Sequence, residues 1–286
     1  MKRHNVKQQP SEKTMPSVIQ SVFRHCPAFG FLHRKLASSL KDDCLLQSLL
    51  AYIDRYIAYH RLSPEEVAGW YSGFIERFDR DLAAFERTGR YPVHNGTDGW
   101  EISREQYEIA LLLSTVLTVH RYRIMELTQH TAAPTDDLLI IGCGSGIEIE
   151  LLKDSASALV AYDLSISDFV RAVHRGVEFR QKSFLPAKGE SYDSIYLIEV
   201  LEHLNDPYVL IDQCLKSLRR KGMMWLTTAT DLPQFDHRYN FPADHHEFLQ
   251  KVVHMGLEVV LREDIDHKYL CSKVKAKNAF FQLRWA

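Results

Sequence analysis

Three alternating glycines and an aspartate nineteen residues beyond the middle one are the residues of this chain best suited to hold a nucleoside. In IIGCGSG, Gly142, Gly144 and Gly146 let the backbone come close to a ligand, and the helix that must follow offers free N–H groups. Asp163, in VAYDLS, stands where a carboxylate can accept hydrogen bonds from both ribose hydroxyls, with Leu164 beside it. A dinucleotide fingerprint would need its third glycine at position 147, which is Ile147. A P-loop would need a lysine at once, and none follows until Lys153. What fits is an adenosine without a pyrophosphate.

A second set lies downstream. IEVLEHL brings Ile198, Glu199, Glu202 and His203 together. An imidazole titrates near neutral pH, so His203 could act as a general base, while glutamates at a helix start complement its dipole. The stretch from Thr227 to Phe248 is dense in rings and histidines: Phe235, His237, Tyr239, Asn240 and Phe241 could face a ligand, or pack as a lid loop. His245, His246 and Glu247 lack zinc-ligand spacing and read as a helix start.

These residues need elements to position them. Residues 1–15 are polar and read as a loose tail; 16–100 show helical periodicity and read as a cap; 101–286 carry the glycine turn. Ser63 and Glu66 form a capping box before Pro64, and Gly89 ends the apolar series, which predicts a helix over 64–88. RYPVHNGTDGW, from Arg90 to Trp100, reads as a hinge. A second capping box, Ser103 and Gln106, predicts one long helix to Gln129. On it Ser114, Thr118 and Arg121 share a polar face, either solvated or forming a cofactor wall. Strands LLII, ALVAYD, VEFRQ, SIYLI and MMWLTT alternate with helices, as in a doubly wound, mostly parallel α/β sheet. LEVVLRE and AFFQLRWA then predict a closing antiparallel hairpin.

In the order IIGCGSG, AYDLS, YDSIYLIEVLEHLNDP and GMMWLTT, the chain resembles the class I S-adenosylmethionine-dependent methyltransferases over roughly Asp137 to Glu263. The resemblance implies a Rossmann-like seven-stranded sheet with an N-terminal helical cap. It places Gly142, Gly144 and Gly146 around the methionine moiety, Asp163 on the ribose, and Ile198 or Glu199 beside the cofactor. Where the family often has an aspartate for the adenine amino group, this chain has Ser183 and Phe184. Tyr239, Phe241 and Phe235 could then contact the sulfonium through their faces, while His237 orients an acceptor. IEVLEHL is also similar to the corresponding stretch of ubiquinone-biosynthesis and small-RNA 2′-O-methyltransferases, which implies magnesium on Glu199, Glu202 and His203 as a lesser alternative to no metal.

The expected reaction is methyl transfer to an oxygen or nitrogen of a small molecule, inside a pocket closed by Trp70, Tyr71, Phe74 and Phe78. The cap and the aromatic loop also resemble azetidine-2-carboxylate synthases, which implies cyclisation of the cofactor as the alternative. A non-catalytic cofactor-binding subunit is the reading from another class. A net charge of −2 without a basic block speaks against nucleic acid as the partner, and no run of eighteen apolar residues spans a membrane. Five cysteines without CxxC spacing fit a reducing cytoplasm.

Overall fold

The computed structural model describes residues 17–91, 102–242, 244–267 and 276–286. The expected tail, most of the expected hinge and the expected boundary near residue 100 lie outside the described residues.

Six helices come first: α1 (Val18–His25), α2 (Pro27–Ala37), α3 (Cys44–His60), α4 (Pro64–Thr88), α5 (Arg104–Leu117) and α6 (Val119–His130). Both capping boxes form. Ser63 accepts from the Glu66 amide and Glu66 answers at the Ser63 amide, with Gly89 closing the helix in the left-handed region at φ 64°. Ser103 and Gln106 do the same at the start of α5. The single helix expected to run to Gln129 is instead two. Thr118 is extended (φ −124°, ψ 137°) and its hydroxyl donates to the Ser114 carbonyl at 2.8 Å. Thr115, Val116, Thr118 and Val119 are β-branched, so helix continuation is weakly favoured there and a local hydrogen bond can end it.

The remaining elements are β1 (Thr135–Ile141), α7 (Ile147–Leu152), β2 (Ala156–Asp163), α8 (Asp168–Val173), β3 (Glu178–Gln181), β4 (Tyr192–Leu197), α9 (Pro207–Ser217), β5 (Leu218–Thr230), α10 (His246–His254), β6 (Leu257–Asp266) and β7 (Lys277–Trp285). The strands form one sheet in the order β3-β2-β1-β4-β5-β7-β6. β1 to β5 are parallel, and β7 runs antiparallel to both β5 and β6. The two last strands do pair antiparallel, and it is the later of them that lies next to β5.

Alternation along β1 sorts its side chains between two cores. Leu138 and Ile140 join the larger core with Ile19, Leu49, Ile109 and Trp225, which ties the N-terminal helices to the sheet. Leu139 and Ile141 join the core under α9 and α10. A strand buried on both faces must read as an unbroken apolar run, and LLII does. The carboxyl ends of β1, β2, β4 and β5 then open beneath α4, α5 and α6, where doubly wound sheets place their ligands.

Candidate active site

At the end of β1 the chain turns through three glycines with positive φ, 76° at Gly142, 43° at Gly144 and 79° at Gly146. A Cβ on Gly142 would come within 2.4 Å of Val200 Cγ2, so the turn lies against the segment that follows β4. At Gly144 a Cβ would meet nothing within 4 Å, which is the open approach a ligand needs. Asp163 fixes this turn: one carboxylate oxygen accepts the Gly144 amide at 2.8 Å and the other accepts the Ser165 amide at 2.9 Å. Each oxygen keeps a lone pair for a further donor. Gly146 serves differently. It does not line the cavity but caps α7, where a Cβ would meet the Tyr52 hydroxyl at 2.7 Å. That hydroxyl donates to the Ser145 carbonyl at 2.9 Å and meets His174 Nε2 at 3.1 Å, so a residue of α3 holds the turn from behind.

A cavity of about 600 Å³ opens over this turn. Of the residues expected at the cofactor, Gly142, Gly144, Asp163, Leu164, Ser183, Phe184, Ile198, Glu199 and Arg121 all line it. Ser114, Thr118 and Arg121 line it too, so their polar face is a cavity wall and not a solvated surface, and Arg121 is buried there. Tyr71, Phe74 and Phe78 of α4 and Tyr107 of α5 wall the opposite side, while Trp70 is not among the lining residues.

The segment after β4 is a 3₁₀ turn, Leu201–His203, entered through Glu199 in the left-handed region at φ 55°. The Glu199 amide donates to Thr227 Oγ1 at 2.6 Å, and its carboxylate takes Arg121 Nη1 at 2.9 Å and Asn278 Nδ2 at 2.8 Å. His203 and His237 both reach the cavity, their rings edge to face at 5.0 Å. His203 Nδ1 sits 3.2 Å from the Asp236 carbonyl and 3.5 Å from its carboxylate, and Tyr107 donates to that carboxylate at 2.6 Å. His237 Nδ1 lies 2.8 Å from the Leu232 carbonyl.

Tyr239 is not brought to the cavity. It packs against Phe241 at 4.7 Å and against Tyr208 at 6.1 Å, at the edge of the core under α9. Phe241 is fully buried in that core, and Asn240 is spent on Asp231 and Tyr91. His245 is structural as well, bonded to Thr228 Oγ1 at 2.7 Å.

Burial governs the electrostatics. It raises Glu202 to about 8, with the Glu199 charge adding to it, and among the described residues both buried Glu202 oxygens have no hydrogen-bond partner. Burial also pushes His203 down, but the charges of Asp236 and Glu202 outweigh it and the imidazole ends raised. His237 is lowered to about 4 by burial. Two residues were missed in the sequence: Asp236, one place before a histidine in a loop without regular spacing, and Glu148, at the second position of α7, where an acid reads as a dipole complement. Burial raises Glu148 to about 7, and Arg121 pulls it back.

The magnesium set implied for this segment is not assembled. Glu199 is held by Arg121 and Asn278; the ligand atoms lying within 4.8 Å of one another belong to Glu202, His203 and His237. Two imidazoles and one carboxylate are a nitrogen-rich set, unlike the oxygen shell magnesium takes.

Residues 106–258, more than half of the chain, match the family described as Methyltransferase domain. The ubiquinone biosynthesis O-methyltransferase of Parvibaculum lavamentivorans (strain DS-1) is 35% identical over 105 residues, 33% of this chain and 42% of that protein. The enzyme of the same name from Pseudomonas fluorescens (strain SBW25) is 25% identical over 128 residues, 42% of this chain and 54% of that protein. The chain thus spans about half, or less, of these relatives' length. Among solved structures, the pyocyanin biosynthetic protein PhzM has a TM-score of 0.54 at 10% identity, covering 77% of this chain and 72% of its own. The mitomycin 7-O-methyltransferase MmcR has a TM-score of 0.51 at 15% identity, covering 83% and 72%. These two share the fold.

Proposed function

The chain belongs to the methyltransferase domain family, and from that premise we propose that it is an S-adenosylmethionine-dependent methyltransferase whose acceptor is a hydroxyl of a small molecule. The observation that carries this reading is one cavity lined by the Gly144–Asp163 turn, by an aromatic wall and by the His203 imidazole. The names of the matched relatives, O-methyltransferases, support oxygen over nitrogen.

When bound, S-adenosylmethionine supplies a methyl group on a positively charged sulfur. In this reading Asp163 accepts the ribose hydroxyls, the Gly142–Gly144 backbone lies along the amino-acid portion, and Ser183 and Phe184 border the adenine. Tyr71, Phe74, Phe78 and Tyr107 hold an apolar acceptor body and exclude water from it. His203 Nδ1 is held by Asp236, which leaves Nε2 to take the hydroxyl proton. Asp236, held in turn by Tyr107 and Gln234, is a positioning residue.

Incubating the protein with S-adenosylmethionine and a panel of aromatic and aliphatic alcohols, thiols and amines tests the reading by mass spectrometry. Methylated ethers are the expected products. Turnover confined to amines overturns the oxygen assignment, and binding without turnover of any acceptor favours the non-catalytic reading.

A further inference from the structure

Arg104 stands where a helix has little use for a cation. It is the first residue of α5, beside the positive end of the helix dipole, and its i,i+4 partner Glu108 follows it, the weaker order for such a pair. Local helix energetics do not account for an arginine there; its contacts across the fold do. Nη2 donates to Ser165 Oγ, in the loop between β2 and α8, while Nε pairs with Glu108 Oε1 at 3.3 Å. Glu108 is buried, and its carboxyl faces the hydroxyls of Tyr56 on α3 and of Ser167. Ser167 caps α8 by accepting the Val170 amide, and Ile166, between the two serines, is buried in the larger core. The Arg104–Glu108 pair thus grips the loop at Ser165 and Ser167. That loop aims Asp163, whose Oδ1 takes the Ser165 amide at 2.9 Å while Oδ2 takes the Gly144 amide at 2.8 Å. Neither Arg104 nor Ser165 is among the residues that line the cavity, so both act on it from behind.

We propose that Arg104 is a positioning residue for the nucleoside: by fixing Ser165 it holds the Asp163 carboxylate in the orientation that receives the ribose hydroxyls. The inference rests on the S-adenosylmethionine reading above and deepens it, because affinity for the sugar then depends on a residue of α5 that lies outside the cavity lining. A guanidinium suits this task. Its planar fork bonds Ser165 and Glu108 at once, whereas an ammonium is a point charge without that geometry. The Ser165 amide can hold Asp163 Oδ1 only while Ser165 keeps its place, and the Arg104 bond to its side chain is what keeps it there.

Calorimetric titration of S-adenosylhomocysteine and of its 2′,3′-dideoxy analogue into the wild type, Arg104→Ala, Ser165→Ala and the double variant tests this. Both substitutions leave the Ser165 amide and the Asp163 side chain in the chain. Arg104→Ala also strips buried Glu108 of its ion pair, so Ser165→Ala, which keeps that pair, separates the ribose effect from lost stability. Each single variant should weaken S-adenosylhomocysteine by about 3- to 30-fold and leave the dideoxy analogue within about twofold of wild type. The double variant should bind within about twofold of the weaker single one, as residues acting through one bond do. Equal weakening of both ligands would make Arg104 a staple of the fold and overturn the proposal. Effects that multiply in the double variant, or a Ser165→Ala protein that binds like wild type, would overturn it as well. A wild type that binds neither ligand would instead overturn the adenosyl reading, a result that the variants play no part in.

Discussion

At the residue scale the account depends on His203 as the proton acceptor. His203→Gln should lower kcat by about 10²- to 10⁴-fold while leaving affinity for S-adenosylhomocysteine nearly unchanged. Parallel loss of binding and turnover would instead mean that the ring holds the cavity together. Chelation bears on the same residue, since an imidazole bound to a cation cannot take a proton. Turnover is expected to survive dialysis against a strong chelator, and loss restored by magnesium would contradict the account. Residues that act through local spacing were legible in the sequence: the glycine turn and Asp163 declare themselves because turn, strand end and ribose contact lie within one βαβ unit. Tyr239 was misplaced because nothing local reveals on which side of a loop a ring packs. Glu148 was passed over because its neighbours in space, Arg121 and the cavity, are distant in sequence.

Elements decide how firmly the turn is held. Tyr52 of α3 bonds the Ser145 carbonyl and His174, so Tyr52→Phe should cost about 1–2 kcal/mol of stability and weaken nucleoside binding. Calorimetry that finds neither change would remove α3 from the site. His174 gives this joint a pH dependence. Burial lowers it to about 4, so between pH 6.5 and 4 the unfolded chain takes up a proton that the folded one refuses. Its contribution is therefore present above pH 6.5 and lost as pH falls towards 4. The difference in Tm between wild type and His174→Gln should shrink on acidification, and a constant difference from pH 7.5 to 4.5 would contradict this. Capping boxes at Ser63 and Ser103 were readable because their bonds span three residues. The break at Thr118 was not, since Ile124 and Leu127 continue the apolar period of Leu113 and Leu117 across it.

For the whole molecule, the parallel strands were legible as apolar runs buried on both faces, and their alternation with helices fixed the sheet class. The insertion of β7 between β5 and β6 was not, because strand order depends on register and on side chains from both faces, including Asn278, which β7 delivers to Glu199. Among the described residues no helix is long and apolar enough to cross a membrane. The molecule brings a glycine turn and an aromatic wall to one cavity, and because a sulfonium has three electrophilic carbons, the nucleoside released reports which bond to sulfur is broken. Identifying the nucleoside released from S-adenosylmethionine, with and without an alcohol acceptor, tests methyl transfer most directly. The account predicts S-adenosylhomocysteine that forms only when an acceptor is present; methylthioadenosine accumulating in its absence, the product of cyclisation, would contradict it.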